Sequence, residues 1–221
     1  PEMHGPVIWV HAVSVGETIA AGPMVRRLLA RNLGATILMT AMTDTGLAQA
    51  RKMFGDRVAY AYAPYDTPGA IRRFLNRVNP RILVIMETEI WPNMIRQCRH
   101  RHVPVFLINA RLSERSARGY ERVRGVAAPI IKSISWVAAQ AEKDAERFRR
   151  IGVAPGNVEV TGSVKFDADI PDDVRAASVS FRKSLGERPV WIAGSTHTGE
   201  DEQLLAAHRQ ILAQHADALL I

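Results

Sequence analysis

The sequence contains one cysteine, few aromatic residues and no long apolar run. Its single cysteine, Cys98, excludes an intramolecular disulfide and fits a reducing compartment. No apolar run approaches the length of a membrane span, and no segment resembles a signal peptide. Aromatic residues make up 6% of the chain and do not alternate with its arginine clusters, which disfavours single-stranded nucleic acid as a partner. With 47% hydrophobic residues among 221, the chain can nevertheless bury a substantial core.

Several ligand-binding motifs are missing as well. No G-x-G-x-x-G follows the first apolar run, which disfavours a dinucleotide-dependent dehydrogenase, and no G-x-x-x-x-G-K-[ST] disfavours a P-loop enzyme. Ser14 lacks the preceding glycine of a hydrolase nucleophile elbow. His100 and His102 flank a polar turn without further ligands nearby in the sequence. We therefore predict no metal site.

Basic residues are in excess, and the excess is unevenly distributed. The net charge is +7. Residues 1–170 contain 24 Lys and Arg against 15 Asp and Glu, a net charge of +9, whereas residues 171–221 contain 5 against 7, a net charge of −2. Solvated helix faces explain this distribution, and so does a surface that binds phosphate, on nucleic acid or on an anionic membrane. Charge alone leaves these interpretations open.

The stretch from Val7 to Glu17 predicts a buried strand followed by a helix. Its short, β-branched apolar run is typical of a strand covered on both faces of a parallel sheet. A helix is predicted over Thr18–Arg31, with Pro23 tolerated only near its first turns. Glu17 then lies at the carboxyl end of the strand, where open α/β sheets bind their ligands. A carboxylate there can complement the helix N-terminus or act as a catalytic base, and both interpretations stay open.

Strands and helices alternate through most of the chain, which predicts a parallel, doubly wound sheet. The further strands are predicted at Ala35–Met42, Arg57–Ala63, Arg81–Met86, Val103–Asn109, Ser135–Ala139 and Val158–Thr161. An acidic segment around residues 166–173 that contains a proline interrupts this rhythm and suits a linker. We predict a first domain at residues 1–165, a linker with a connecting helix at 166–187, and the incomplete start of a second domain at 188–221.

Polar side chains follow several predicted strands at the same edge of the sheet. These groups are Ser14 with Glu17; Thr43, Asp44 and Thr45; Glu87, Glu89 and Asn93; and Asn109, Arg111 and Ser113. Each group alone is explained by helix capping. Trp91 in an exposed loop and two carboxylates spaced by one residue exceed what capping needs, so we predict one shared site.

A second kind of site is predicted at Gly194–Glu200, where an apolar strand turns toward a helix. Such a turn leaves backbone N–H groups unpaired, and these groups bind anions. Ser195 and Thr196 add hydroxyls that can donate to a phosphate. A plain helix cap explains the same residues.

Five stretches, taken together, resemble the 3-deoxy-D-manno-octulosonic acid (Kdo) transferases of bacterial lipopolysaccharide assembly. They are His11–Glu17 (HAVSVGE), Glu87–Asn93 (ETEIWPN), Asn109–Ser113 (NARLS) with Ser116 and Tyr120, Thr161–Asp167 (TGSVKFD) and Gly194–Glu200 (GSTHTGE). They follow the family's order and spacing across nearly the whole chain. Ser163 departs from the family, which usually has Asn there. The family's N-terminal membrane anchor and most of its second domain are not among these residues.

The resemblance implies a GT-B architecture, in which two Rossmann-like domains face each other across a cleft. The first would take a lipid A precursor (lipid IVA) and the second would take the donor, CMP-Kdo. The implied reaction is metal-independent, inverting transfer of Kdo without a cofactor, in which an acceptor hydroxyl attacks the anomeric carbon as CMP leaves. A piece lacking half of the donor site is expected to be inactive by itself.

The resemblance also implies roles for individual residues. Glu17 matches the family's catalytic base. Residues expected to position acceptor or donor are Ser14, Gly16, Glu87, Glu89, Asn93, Arg111 and Lys165. Residues expected near the donor phosphate or nucleotide are Ser195, Thr196, His197 and Glu200.

The basic first domain would then dock on the anionic cytoplasmic face of the bacterial inner membrane, and nucleic acid is not an expected partner. Two alternatives remain open at this level. One is another two-domain nucleotide-sugar enzyme, either a glycosyltransferase or an epimerase. The other is a non-catalytic fragment that binds lipid or sugar.

Overall fold

In the computed structural model, seven short strands form one parallel sheet within residues 5–167. The structure describes residues 3, 5–167 and 172–221. The strands are β1 (Val7–His11), β2 (Thr36–Ala41), β3 (Ala59–Tyr62), β4 (Pro80–Met86), β5 (Val105–Ala110), β6 (Trp136–Ala139) and β7 (Val158–Val160). The helices are α1 (Val15–Ala30), α2 (Asp44–Phe54), α3 (Pro68–Val78), α4 (Pro92–His100), α5 (Glu114–Arg122), α6 (Arg124–Ile131) and α7 (Glu142–Ile151).

The strand order creates a switch point next to β1. The order across the sheet is β3-β2-β1-β4-β5-β6-β7. The chain therefore first winds from β1 to one edge and then crosses to β4 and winds toward the other edge. Ligands of open α/β sheets bind outside the carboxyl ends of the strands at this reversal. The loops that follow β1 and β4 border that crevice.

Two apolar clusters cover the two faces of the sheet, and alternate residues of β1 contribute to each. Val7 and Trp9 belong to the larger cluster, which includes apolar side chains of α3, α4 and α7. Ile8 and Val10 belong to the other, with side chains of α1 and α2. Because successive strand residues point to opposite faces, a strand covered on both faces needs a continuous apolar run. This is why the first strand was recognisable from the sequence.

Helix α1 starts earlier than predicted. Ser14 is the N-cap, and its Oγ accepts the backbone N–H of Glu17 at 3.2 Å, so the helix begins at Val15. Pro23 consequently lies in the third turn, and the expectation that it falls near the first turns was wrong. Proline there removes the N–H that would otherwise bond to the carbonyl of Ile19. Pro23 is one of the buried residues of α1.

The remaining elements belong to a second compact unit. The Cα positions divide the chain into one unit up to residue 168 and another from residue 169. The second unit contains α8 (Asp172–Ser184), β8 (Val190–Trp191), α9 (Asp201–Leu212) and β9 (Leu219–Leu220), and β8 pairs with β9 in parallel. Residues 168–171 of the predicted linker lie outside the described residues. The predicted fold class, a GT-B-type α/β chain that begins with a Rossmann-like parallel sheet, is confirmed.

Candidate functional site

Glu17 lies in the first turn of α1, and its carboxylate closes the turn after β1. Its Oε2 accepts the backbone N–H of Val13 at 2.7 Å, and its Oε1 accepts the hydroxyl of Ser14 at 3.1 Å. Only 8% of the residue is exposed. The carboxylate therefore caps the start of α1, which is one of the two interpretations that the sequence left open. Each oxygen has a second lone pair, so capping leaves room for a proton.

Burial raises the pKa of the Glu17 carboxyl above its ordinary value. The hydrogen bonds from Val13 and Ser14 favour the charged form and oppose this rise, whereas the nearby charges of Glu89 and Glu87 add to it. The net pKa shift is upward. A raised carboxyl pKa at the ligand-binding edge of a sheet is the perturbation expected of a group that accepts and returns protons.

Glu87 and Glu89 follow β4 and have different partners. Glu87 adopts a φ of 59° and accepts a hydrogen bond from Nη2 of Arg111 at 2.9 Å. Glu89 accepts the indole N–H of Trp91 at 2.6 Å. The Glu89 charge also raises the pKa of the half-buried Tyr120, a shift whose larger cause is burial. The Glu89 charge therefore acts on both Glu17 and Tyr120, and side chains following β1, β4 and β5 meet at one edge.

Ser14 and Gly16 lie exposed at the same edge. A Cβ added at Gly16 would meet only the Ser14 Oγ, at 3.8 Å, which is an ordinary contact. The chain's own packing therefore does not require a glycine there.

Asn93 contacts Asp66 of the loop that follows β3. The Asp66 carboxylate accepts the backbone N–H groups of Asn93 at 3.1 Å and of Met94 at 2.7 Å, which caps α4 from outside the helix. The Asn93 Nδ2 donates to the Asp66 carbonyl at 2.7 Å. The Asn93 amide thus fastens two loops together. Sequence reasoning missed Asp66, because no local spacing connects positions that are 27 residues apart.

Asn109 brings the segment containing Lys165 to this side of the sheet. It is fully buried with a φ of 57°, and its Oδ1 accepts the backbone N–H of Val164 at 3.2 Å. Val164 starts a short 3-10 helix, Val164–Asp167, in which Lys165 is exposed. Within the part of the chain that the structure describes, the Asn109 Nδ2 and the His11 Nε2 are buried polar atoms without a hydrogen-bond partner.

The predicted anion-binding turn, Gly194–Glu200, ends where the sequence suggested. Helix α9 begins at Asp201, and the Ser195 backbone has a φ of 59°. The backbone N–H of His197 is already bonded to Glu200 Oε2 at 2.8 Å. The expectation of unpaired N–H groups was therefore wrong at His197. The turn's polar side chains are exposed: Ser195, Thr196, His197 and Glu200.

Neither a metal cluster nor a membrane-crossing helix occurs in the described ranges. No three His, Cys, Asp or Glu side chains within residues 5–167 and 172–221 are placed to hold an ion. Likewise, no helix within those residues is long and apolar enough to cross a bilayer.

The strand order is that of a Rossmann-like parallel sheet, and solved structures with a GT-B-type fold superpose on the chain. UDP-GlcNAc 2-epimerase from Neisseria meningitidis superposes with a TM-score of 0.62 at 13% identity, over 98% of this chain and 64% of that one. A glycosyltransferase from Rickettsia africae gives a TM-score of 0.56 at 9% identity, over 98% and 68%. At such identities the likeness concerns the fold alone.

Sequence similarity identifies the family. The model of the 3-deoxy-D-manno-octulosonic acid transferases (Kdo transferases) matches residues 1–168. The Haemophilus influenzae Kdo transferase is 40% identical over 215 residues, 97% of this chain and 50% of that protein. The Bordetella pertussis Kdo transferase is 37% identical over 95% of this chain and 49% of that protein. The chain belongs to the Kdo transferase family, as its motifs indicated, and spans about half the length of these relatives.

Proposed function

We propose that the protein transfers Kdo from CMP-Kdo to the lipid A precursor lipid IVA, with inversion at the anomeric carbon. The placement of Glu17 carries this proposal. It is a buried carboxylate with a raised pKa, positioned beside Glu87 and Glu89 at the switch point of the sheet. An epimerase is the weaker alternative, because only the fold supports it.

The proposed chemical step needs one base. A hydroxyl of the acceptor attacks the anomeric carbon of Kdo, the bond from that carbon to the phosphate oxygen breaks, and CMP leaves with its electrons. Glu17 takes the hydroxyl proton as the new glycosidic bond forms. Arg111, which is 55% exposed although paired with Glu87, can also contact an anionic sugar or phosphate, as can the exposed Lys165.

The other proposed contacts follow the family resemblance. Ser14, Gly16, Glu89 and Asn93 position acceptor or donor groups. In the second unit, Ser195, Thr196, His197 and Glu200 approach the donor phosphate or nucleotide. No metal or cofactor takes part in the proposed step. Because the chain spans about half of its relatives' length, we also propose that these 221 residues alone are inactive.

Membrane docking is the proposed route to the acceptor. Residues 1–170 have a net charge of +9, and each Lys or Arg near an anionic leaflet contributes about 1 kcal/mol. We propose that the basic residues of this range bind the cytoplasmic face of the inner membrane. Sedimentation with vesicles at low salt tests this, and equal binding to neutral and anionic lipid would contradict it.

The test of function uses a chain of full family length, CMP-Kdo and a tetraacylated lipid A precursor, with product detected by mass. Glu17→Gln should lower kcat by roughly 100-fold or more, the contribution of a positioned general base. The glutamine keeps an oxygen for the N–H of Val13, so the unfolding midpoint should change little. Glu142→Gln on α7, whose carboxylate pairs with Arg149 at 2.8 Å, is the matched control. An undiminished rate in Glu17→Gln would refute the proposed base, and EDTA should leave the rate unchanged.

A further inference from the structure

Trp91 connects the acidic edge of the site to the buried sheet. It occupies the N-cap position of α4, where its side chain makes no capping hydrogen bond. Its indole Nε1–H instead donates to Glu89 Oε2 at 2.6 Å. Charge-assisted hydrogen bonds of this length are stronger than those between neutral groups. The Trp91 ring also packs against the larger apolar cluster, so the direction of its N–H is fixed by packing.

The other side of Trp91 faces a buried polar chain. The rings of Trp91 and His11 are perpendicular, with centroids 5.2 Å apart. His11 is fully buried, and its Nδ1 lies 3.0 Å from Thr40 Oγ1. That same oxygen accepts the indole N–H of Trp9 at 2.8 Å. His11 and Thr40 are register partners on β1 and β2, so the sheet itself sets this contact.

Burial keeps the His11 ring neutral, because it lowers the His11 pKa to about 4. Thr40 Oγ1 accepts the indole N–H of Trp9 and also lies within hydrogen-bond distance of His11 Nδ1. A neutral ring held by this hydrogen bond is a fixed support for Trp91.

We propose that Trp91 is a positioning residue whose indole N–H holds the Glu89 carboxylate in place at the acidic edge. The hydrogen-bonded group of Trp9, Thr40 and His11 supports the opposite side of the indole. Packing of the ring does not need the N–H, since a phenylalanine would fill much of the same space. Only the hydrogen bond requires tryptophan. The consequence for turnover rests on the proposed function, whereas the hydrogen bond itself can be tested without it.

The direct test is a pH titration of the 15N-labelled tryptophan indoles by NMR. Trp91→Phe assigns the Trp91 resonance, and Trp9, Trp136 and Trp191 serve as internal references. In the wild-type protein the Trp91 N–H resonance should move as the solution is acidified, and Glu89→Gln should abolish that movement. A Trp91 resonance that does not move with pH, or moves equally in Glu89→Gln, would overturn the proposal. Both decisive proteins retain Trp91, so a folding defect of Trp91→Phe cannot confuse the result.

The functional arm measures kcat and KM in the full-length enzyme. Trp91→Phe should lower kcat roughly 10- to 100-fold, the range of a hydrogen bond to a charged group, with KM for the donor nearly unchanged. Trp136→Phe is the matched control, because its half-buried ring packs edge-on near Phe106 away from this edge. Equal rates in Trp91→Phe and wild type would overturn the positioning role. An active Glu17→Gln would refute the proposed base instead, and would leave the indole titration intact.

Discussion

Acid should destabilise the first unit through His11. This side chain lies at the carboxyl end of β1 with no exposed surface, and burial lowers its pKa from 6.5 to about 4. Since no charged neighbour contributes to the shift, the cause is the cost of placing an imidazolium in an apolar interior. The unfolded chain takes up this proton more readily than the folded one.

The direction and magnitude follow from linkage. Above pH 6.5 the ring is neutral in both states and the full stability is present. As the pH falls from 6.5 toward 4, only the unfolded state gains the proton, so the free energy of unfolding decreases. At 1.36 kcal/mol per pKa unit, the loss is about 2 kcal/mol by pH 5 and about 3 kcal/mol below pH 4. This is a large part of a typical domain stability.

Urea unfolding between pH 4 and 8 measures this loss. His11→Asn keeps an oxygen that can accept the Thr40 hydroxyl but cannot titrate in this range, so its unfolding free energy should vary less with pH than that of the wild type. The control is His100→Asn, which changes an exposed histidine at the end of α4. Its unfolding free energy should depend on pH as that of the wild type does. If His11→Asn and the wild type lose stability in parallel, then His11 is not the source and its neutral state has been misassigned.

Two further outcomes concern capping and ion pairs. Asp66→Ala removes the acceptor of two N–H groups at the start of α4 and should lower the free energy of unfolding by about 1–2 kcal/mol, measured by urea unfolding against Asp56→Ala. Hydrogen bonds from Arg150 above all, then from Arg118 and Arg147, lower the pKa of Glu114 to about 2. The stabilisation that Glu114 provides is therefore complete above pH 4.5 and is lost as the pH falls through 2. The difference in unfolding free energy between the wild type and Glu114→Gln should shrink over that range. A constant difference would contradict this prediction.

The repeated pattern of apolar runs predicted the fold well. Buried parallel strands are continuous apolar runs, so the strand boundaries were located to within a few residues. Glu17 and Glu89 follow β1 and β4, which are neighbours in the sheet, and the sequence pattern did not predict that strand order. The positive φ of Glu87 and the cap of α4 by Asp66 had no local signal. Both depend on how distant loops meet once the sheet has formed.

The buried hydrogen bonds behind Trp91 could not be predicted from the sequence, for a related reason. His11 and Thr40 are 29 positions apart, and only the register of β1 against β2 sets them side by side. The sequence shows His11 as one polar residue within an apolar strand. Nothing local shows that the hydroxyl of Thr40 also accepts the indole N–H of Trp9.

The opposing influences on Glu17 give a last prediction. Burial and the Glu89 charge raise the pKa of its carboxyl, while the Val13 N–H and the Ser14 hydroxyl lower it. Glu89→Gln removes one of the raising influences and leaves the others, so the Glu17 pKa should fall. On the proposed function Glu17 is the base, and with a lower pKa it stays ionised in more acidic solution, so the acidic limb of the kcat/KM profile of a chain of full family length should move to lower pH. Ser14→Ala removes a lowering influence and should move the same limb to higher pH. Shifts of both variants in one direction would show that the limb belongs to a group other than Glu17.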